Sequence, residues 1–359
     1  MGSFLYYIRP SHPNKKTVIS VMTAISSLSE FRGIVSSLPV GDSASAQAAQ
    51  DREPQLTKPG GSLGKLEEVA EWLAAWQGRH PAVVEKVKTV VLAGNHGVTS
   101  KGVSAFPSEV TAQMVANFEA GGAAINQLSK LQGADLEVIT LDLERPTADF
   151  TESPAMTEGE CVAALNTGLA AVSEGLDLLC VGEMGIGNTT SAAALCHAVF
   201  GGAADDWTGP GTGVEGDALS NKIKVVREGV VAHEAAMTDG AEILRHLGGR
   251  EIAAIAGAVV GARLKQIPVL LDGFVTGGAA AVLHALDPAS LYHCQVGHVS
   301  AEPGHIRLLE KLGKEPLLNL GMRLGEGSGA ALAINILKAA AACHAGMATF
   351  GEAGVSDKD

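Results

Sequence analysis

The sequence predicts an α/β fold: a mostly parallel, Rossmann-like sheet flanked by helices, with a smaller helical domain built from the N- and C-terminal segments. Three observations carry that expectation. Six short apolar or β-branched runs recur along the chain, and helical stretches separate most of them. Glycine is frequent, at 44 of 359 residues, and alanine is abundant, as close helix–sheet packing requires. Apolar strands that alternate with helices belong to parallel sheets covered on both faces.

The elements follow in order. Residues 1–21 fit the rest badly and are read as a poorly ordered extension, which leaves Met1 and Met22 as the alternative starts. Residues 23–77 have a helical pattern, broken by "TKPGGSLGK". "LGKLEEVAEWLAAWQG" then places Leu66, Val69, Trp72, Leu73 and Trp76 on one helical face, which serves a core or an interface. The strand candidates are "KTVVLAG" (88–94), "LEVITLDL" (136–143), "LDLLCVGE" (176–183), "IPVLLDG" (267–273), "CQVGHVS" (294–300) and "EPLLNLGM" (315–322). "EVTAQMVANFEAGGAAINQLSK" and "GREIAAIAGAVVGARLKQ" are among the helical stretches between them. The last helix, "GSGAALAINILKAAAACHAGM", returns the chain towards the N-terminal helices. The expected division is a small helical domain from 22–85 plus about 335–359, and a large α/β catalytic domain from 86–334.

Composition narrows the function. The net charge of −13 repels phosphate backbones, so nucleic acid is not expected as a partner. The five cysteines are odd in number and form no CxxC pair, which argues against a disulfide framework or structural zinc. Apolar runs are interrupted by Gly, Lys or Asp, so no membrane span is expected. The N-terminus lacks the apolar core of a secretory signal, and the protein is read as cytoplasmic. No HExxH or two-His-one-carboxylate spacing occurs, and no metal or cofactor is expected.

In open parallel sheets, ligands bind beyond the carboxyl ends of the strands. Five of the six loops there hold glycine beside a polar or charged residue, which suggests one polar site at one sheet edge. In "GEMGIGNTTSAAA", Gly185 and Gly187 let backbone N–H groups approach a ligand. Asn188, Thr189 and Thr190 add donors at a helix N-terminus, where an anion such as phosphate is favoured. A plain helix cap accounts for the loop as well. Lys222, after a glycine-rich turn, either reaches an anionic substrate or is a solvated surface charge. "GMRLGEGSGAALA" holds one carboxylate, Glu326, where a strand gives way to a helix. The helix dipole, and Arg323 if it points inward, favour its charged form; apolar surroundings oppose it. A glutamate so balanced can act as a general base, or simply cap the helix. Glu183 is a second acid, and two acids at one site also suit a glycosidase.

Together "LTKPGGSLGKLEEVA", "GNHGV", "GEMGIGNTT", Asn221 with Lys222, "VLLDGF", "GHVSAEPGH" and "MRLGEGSGAALA", in that order, resemble the nicotinate-nucleotide:dimethylbenzimidazole phosphoribosyltransferase family. The likeness runs from about residue 30 to the C-terminus and is strongest to the α-proteobacterial branch. It implies transfer of the phosphoribosyl group of nicotinate mononucleotide to 5,6-dimethylbenzimidazole, giving α-ribazole 5′-phosphate and nicotinate in cobalamin (vitamin B12) biosynthesis. It implies Glu326 as the catalytic base and inversion at C1′. It implies Glu183 as a second acid near the acceptor, residues 185–190 (Gly185, Ile186, Gly187, Asn188, Thr189, Thr190) and Lys222 about the mononucleotide, and Met184 and Leu324 beside the base pocket. Ser300 and Gly325 complete the implied substrate contacts, and a homodimer is the implied assembly. Phe106 and Met114 stand where an enteric-type member has serine and glutamine. They make an apolar pocket open to other benzimidazoles, purines or phenols. Asn95 stands in place of the acid of the family's "DHG". A non-catalytic nucleotide-binding subunit and an unrelated hydrolase using Glu183 and Glu326 are the competing readings.

Overall fold

The computed structural model describes residues 24–356; the expected extension over 1–21 and both alternative starts, Met1 and Met22, lie outside them. All six strands expected from the sequence form one sheet: β1 (Val87–Ala93), β2 (Asp135–Thr140), β3 (Leu178–Met184), β4 (Val269–Leu271), β5 (Cys294–His298) and β6 (Pro316–Leu318). The spatial order is β2-β1-β3-β4-β5-β6, and every pairing is parallel. β4 and β6 are only three residues long, shorter than their apolar runs suggest. The edge strands betray their position. β2 alternates exposed and half-buried residues, and β6 begins with a proline, which an edge tolerates.

Two apolar cores cover the two faces of the sheet. Leu179 and Val181 of β3 point into one, and Leu178 and Cys180 into the other. β4 divides the same way, Val269 and Leu271 against Leu270, as a period of two dictates. The first core takes the helices Glu158–Ala171, Asn188–Phe200, Gly240–Leu247, Arg250–Leu264 and Phe274–Leu286. Gly168 and Gly257 let two of these helices touch backbone to backbone. A Cβ on Gly168 would strike the Ala254 carbonyl, and one on Gly257 the Leu165 carbonyl. The helix Leu28–Val35 buries Leu28, Phe31 and Val35 in this same core.

The second core holds the helices Lys65–Gln77 and Ser328–Gly346. Trp72 and Trp76 are buried within the chain. The Trp72 indole donates to the Tyr292 carbonyl at 3.1 Å, and the Arg263 guanidinium lies 4.0 Å above the Trp76 ring. The tryptophans therefore fill the core and form no exposed face.

Two expectations need correction. The segment read as one helical stretch from residue 109 to 130 forms two helices, Glu109–Glu119 and Ala124–Gln132, because Gly121 takes a left-handed φ of 78° between them. The helix Ser328–Gly346 is, by length and composition, apolar enough to cross a bilayer, although no such run was expected. In this fold it buries Ala330, Ala331, Ala333, Ile334 and Leu337 in the second core.

Candidate active site

The strand order reverses between β1 and β3, and the chain leaves a crevice outside their carboxyl ends. A cavity of about 440 Å³ opens there. Five loops supply its walls. Phe106, Val110 and Met114 follow β1; Glu183, Met184, Gly185, Ile186, Asn188 and Thr189 end β3 and start the next helix. Gly273, Phe274 and Val275 follow β4, His298, Ser300 and Glu302 come from the end of β5, and Arg323, Leu324, Gly325 and Glu326 follow β6. Gly211 and Thr212 close one side. Phe106 and Leu324 are 53% and 57% exposed and stand at the mouth.

Twelve of the fifteen residues picked from sequence line this cavity: Glu183, Met184, Gly185, Ile186, Asn188, Thr189, Phe106, Met114, Ser300, Leu324, Gly325 and Glu326. Gly187, Thr190 and Lys222 stand behind the wall. Gly187 caps the helix Asn188–Phe200 with a φ of 92°. Lys222 is no surface charge: it is 1% exposed, and its ammonium donates to Thr189 Oγ1 at 2.8 Å and to the Gly209 carbonyl at 3.0 Å. Burial pulls its pKa down to about 8, against the opposing pull of Glu302. A cation thus backs the glycine loop.

Glu326 is buried at 5% exposure. It adopts φ 63°, between Gly325 at 80° and Gly327 at 82°. Three consecutive left-handed residues form a turn that presents the carboxylate, and the glutamate itself bears a conformation L-residues rarely adopt. Its Oε2 is buried with no hydrogen-bond partner among the described residues. Burial first, and the nearby Asp272 charge second, raise its pKa to about 7. Arg323, also on the cavity wall, donates to the Gly211 carbonyl at 3.1 Å.

Glu183 faces the same turn. A Cβ on Gly325 would collide with Glu183 Oε1, so glycine there makes room for the second acid. Asn188 Nδ2 donates to Glu183 Oε2. Burial, then the charges of Asp272 and Glu251, raise the Glu183 pKa to about 8, and the Asn188 hydrogen bond opposes them. Beneath this wall His96 Nε2 lies 2.5 Å from Glu251 Oε1, with Ser191 Oγ 3.0 Å from His96 Nδ1.

Sequence reasoning missed Asp272, His298 and Glu302, although "VLLDGF" and "GHVSAEPGH" contain them. Asp272 is 1% exposed and accepts from three backbone N–H groups of the 327–330 segment. Glu302 is 4% exposed; its Oε1 accepts from the Gly211 N–H at 3.0 Å, while Oε2 has no partner among the described residues. Each is a single acid or imidazole after a strand. What marked them was glycine close by, a signal shared with ordinary turns.

The fold and the cavity define an enzyme of the parallel α/β class, with an apolar pocket, two convergent carboxyl groups and a cation-backed glycine loop. A family model described as Phosphoribosyltransferase matches residues 38–355. The nicotinate-nucleotide–dimethylbenzimidazole phosphoribosyltransferase of Ruegeria pomeroyi is 59% identical over 337 residues, covering 94% of this chain and 100% of the relative. That of Sinorhizobium medicae is 57% identical over 329 residues, covering 92% and 97%. The crystal structure of CobT from Thermus thermophilus superposes with a TM-score of 0.81 at 41% identity, covering 88% of this chain and 100% of that one. The chain belongs to this phosphoribosyltransferase family.

Proposed function

We propose that the protein transfers the phosphoribosyl group of nicotinate mononucleotide to 5,6-dimethylbenzimidazole, releasing nicotinate and forming α-ribazole 5′-phosphate. One observation carries the mechanism: Glu326 presents a buried carboxyl oxygen without a partner among the described residues, on the wall of a largely apolar cavity. The named relatives support the substrates.

The donor pyridinium nitrogen leaves C1′ with its bonding electron pair and becomes neutral, so it needs no acid. One benzimidazole nitrogen attacks C1′ from the opposite face, which inverts the β linkage to α. The other ring nitrogen loses its proton to the Glu326 carboxylate. Glu183, with a pKa raised to about 8, is a carboxylic acid at neutral pH and can donate a hydrogen bond inside the site. The phosphate of the donor lies against the start of the helix Asn188–Phe200, where the dipole and Lys222 behind Thr189 favour it.

Phe106, Val110, Met114 and Met184 give the acceptor ring apolar and thioether surroundings. These contacts serve any flat aromatic acceptor, so other benzimidazoles, purines or phenols compete with dimethylbenzimidazole in this pocket. The assembly proposed is a homodimer, and the location cytoplasmic; sedimentation of the purified protein tests the first. Incubation with nicotinate mononucleotide and each acceptor in parallel, followed by mass analysis, tests the reaction. A ribotide formed best with dimethylbenzimidazole supports it. Nicotinate release that needs no acceptor would make the protein a hydrolase.

A further inference from the structure

We propose that Asp272, with His298 beside it, is a positioning residue for the transfer, holding the left-handed 325–327 turn so that Glu326 faces the acceptor. The inference deepens the reading above and rests on it.

The cap of the helix Ser328–Gly346 is Gly327, which has no side chain to satisfy the first N–H groups. Asp272 supplies that cap from the end of another strand. Its Oδ1 accepts from Gly329 at 2.7 Å and Ala330 at 2.9 Å, and its Oδ2 from Gly327 at 3.2 Å. The bond to Gly327 reaches the residue next to Glu326. A glutamate at φ 63° persists only where its surroundings fix it. Without Asp272 those N–H groups lie buried and unpaired, and the turn is free to relax towards an ordinary φ. The Glu326 side chain then swings from its place.

His298 sits at the end of β5 with both ring nitrogens buried and without hydrogen-bond partners among the described residues. Its Nε2 is 3.6 Å from Asp272 Oδ1, in contact but too long for a hydrogen bond. Burial raises the Asp272 pKa, and His298 with the three amides opposes that rise.

The other groups about Glu326 are Glu183 from β3, Arg323 on its own loop and Glu251 behind Gly185. Of the charges, Asp272 is the one that raises Glu326. Removing the Asp272 charge therefore makes Glu326 more acidic, and removing His298, which favours the ionised form of Asp272, acts in the same direction.

The test uses the whole protein and steady-state kinetics with nicotinate mononucleotide and dimethylbenzimidazole across the neutral pH range. Wild type, Asp272→Asn, His298→Gln and Glu326→Gln are compared, with thermal melting as the check of folding. Asp272→Asn is expected to lose about 10²-fold in kcat through misplacement of Glu326, with the donor KM little changed. Its acid limb moves to lower pH, and that of His298→Gln moves the same way by a smaller amount. A folded Asp272→Asn protein whose acid limb stays at the wild-type position overturns the inference, whatever its kcat. Should Asp272→Asn fail to fold, His298→Gln decides alone: a downward shift supports the inference, and an unmoved or raised limb overturns it. Full activity in Glu326→Gln would defeat the general-base reading and this inference with it. An inactive Glu326→Gln beside an unmoved Asp272→Asn limb defeats this inference only.

Discussion

The ammonium of Lys222 donates a hydrogen bond to Thr189 Oγ1 at 2.8 Å, which sets a buried cation directly behind the glycine loop that opens into the cavity. A hydrogen bond to a charged group contributes about 1.5–3 kcal/mol. Lys222→Met should therefore raise the KM for nicotinate mononucleotide about tenfold or more. Acceptor KM should change little. Initial rates with donor and acceptor varied separately check this.

Glu326→Gln keeps the size of the side chain and removes the base. We expect kcat to fall about 10²- to 10⁴-fold, with melting temperature equal to wild type or higher. Release of nicotinate, followed by chromatography, reads the first quantity and circular dichroism the second.

Activity should rise with pH through about 7, because Glu326 works as a carboxylate and its pKa is raised to that value by burial and Asp272. Stability should run the other way. Glu183 and Glu326 have folded pKa values of about 8 and about 7, above the ordinary 4.5. The folded state then binds more protons than the unfolded one in that interval. The stability these groups contribute is fully present below about pH 4.5 and is lost as pH rises through 7 and 8. Glu183→Gln should flatten the decline, as melting temperature measured against pH will show.

Gly325→Ala meets two obstacles at once. Its φ of 80° costs an L-residue about 1–2 kcal/mol, and its Cβ runs into Glu183 Oε1. We expect lower stability and a loss of kcat larger than that of a surface substitution. Chemical denaturation and turnover on one preparation measure both.

Met114→Gln introduces a hydrogen-bonding group into the apolar acceptor wall. One such bond is worth about 0.5–1.5 kcal/mol. Acceptors with a ring N–H should gain roughly 2- to 10-fold over a phenol in direct competition. A competition assay with dimethylbenzimidazole and p-cresol reads the ratio.

The sheet was legible because a parallel strand is buried on both faces and so reads as a continuous apolar run. "LDLLCVGE" became β3, with alternate residues in the two cores. Strand ends were less legible, since "IPVLLDG" pairs through Val269–Leu271 only. The glycine loops announced the cavity, and Glu326 was conspicuous as the lone carboxylate in its stretch. Asp272 was not. Its task depends on N–H groups far along the chain, and nothing local distinguishes it from a turn aspartate. The burial of Lys222 was equally invisible, because it follows from the loops that fold over it and not from its own helix.

The most direct test of Glu326 as the base of an inverting transfer is the product formed from nicotinate mononucleotide and 5,6-dimethylbenzimidazole by the wild-type protein and by Glu326→Gln, resolved by mass and by anomeric configuration. The expected result is an α-linked ribotide from the wild type, with one nicotinate released per ribotide, and a rate lower by about 10² or more in the variant. A β-linked product, free ribose phosphate, or equal rates in the two proteins would contradict it.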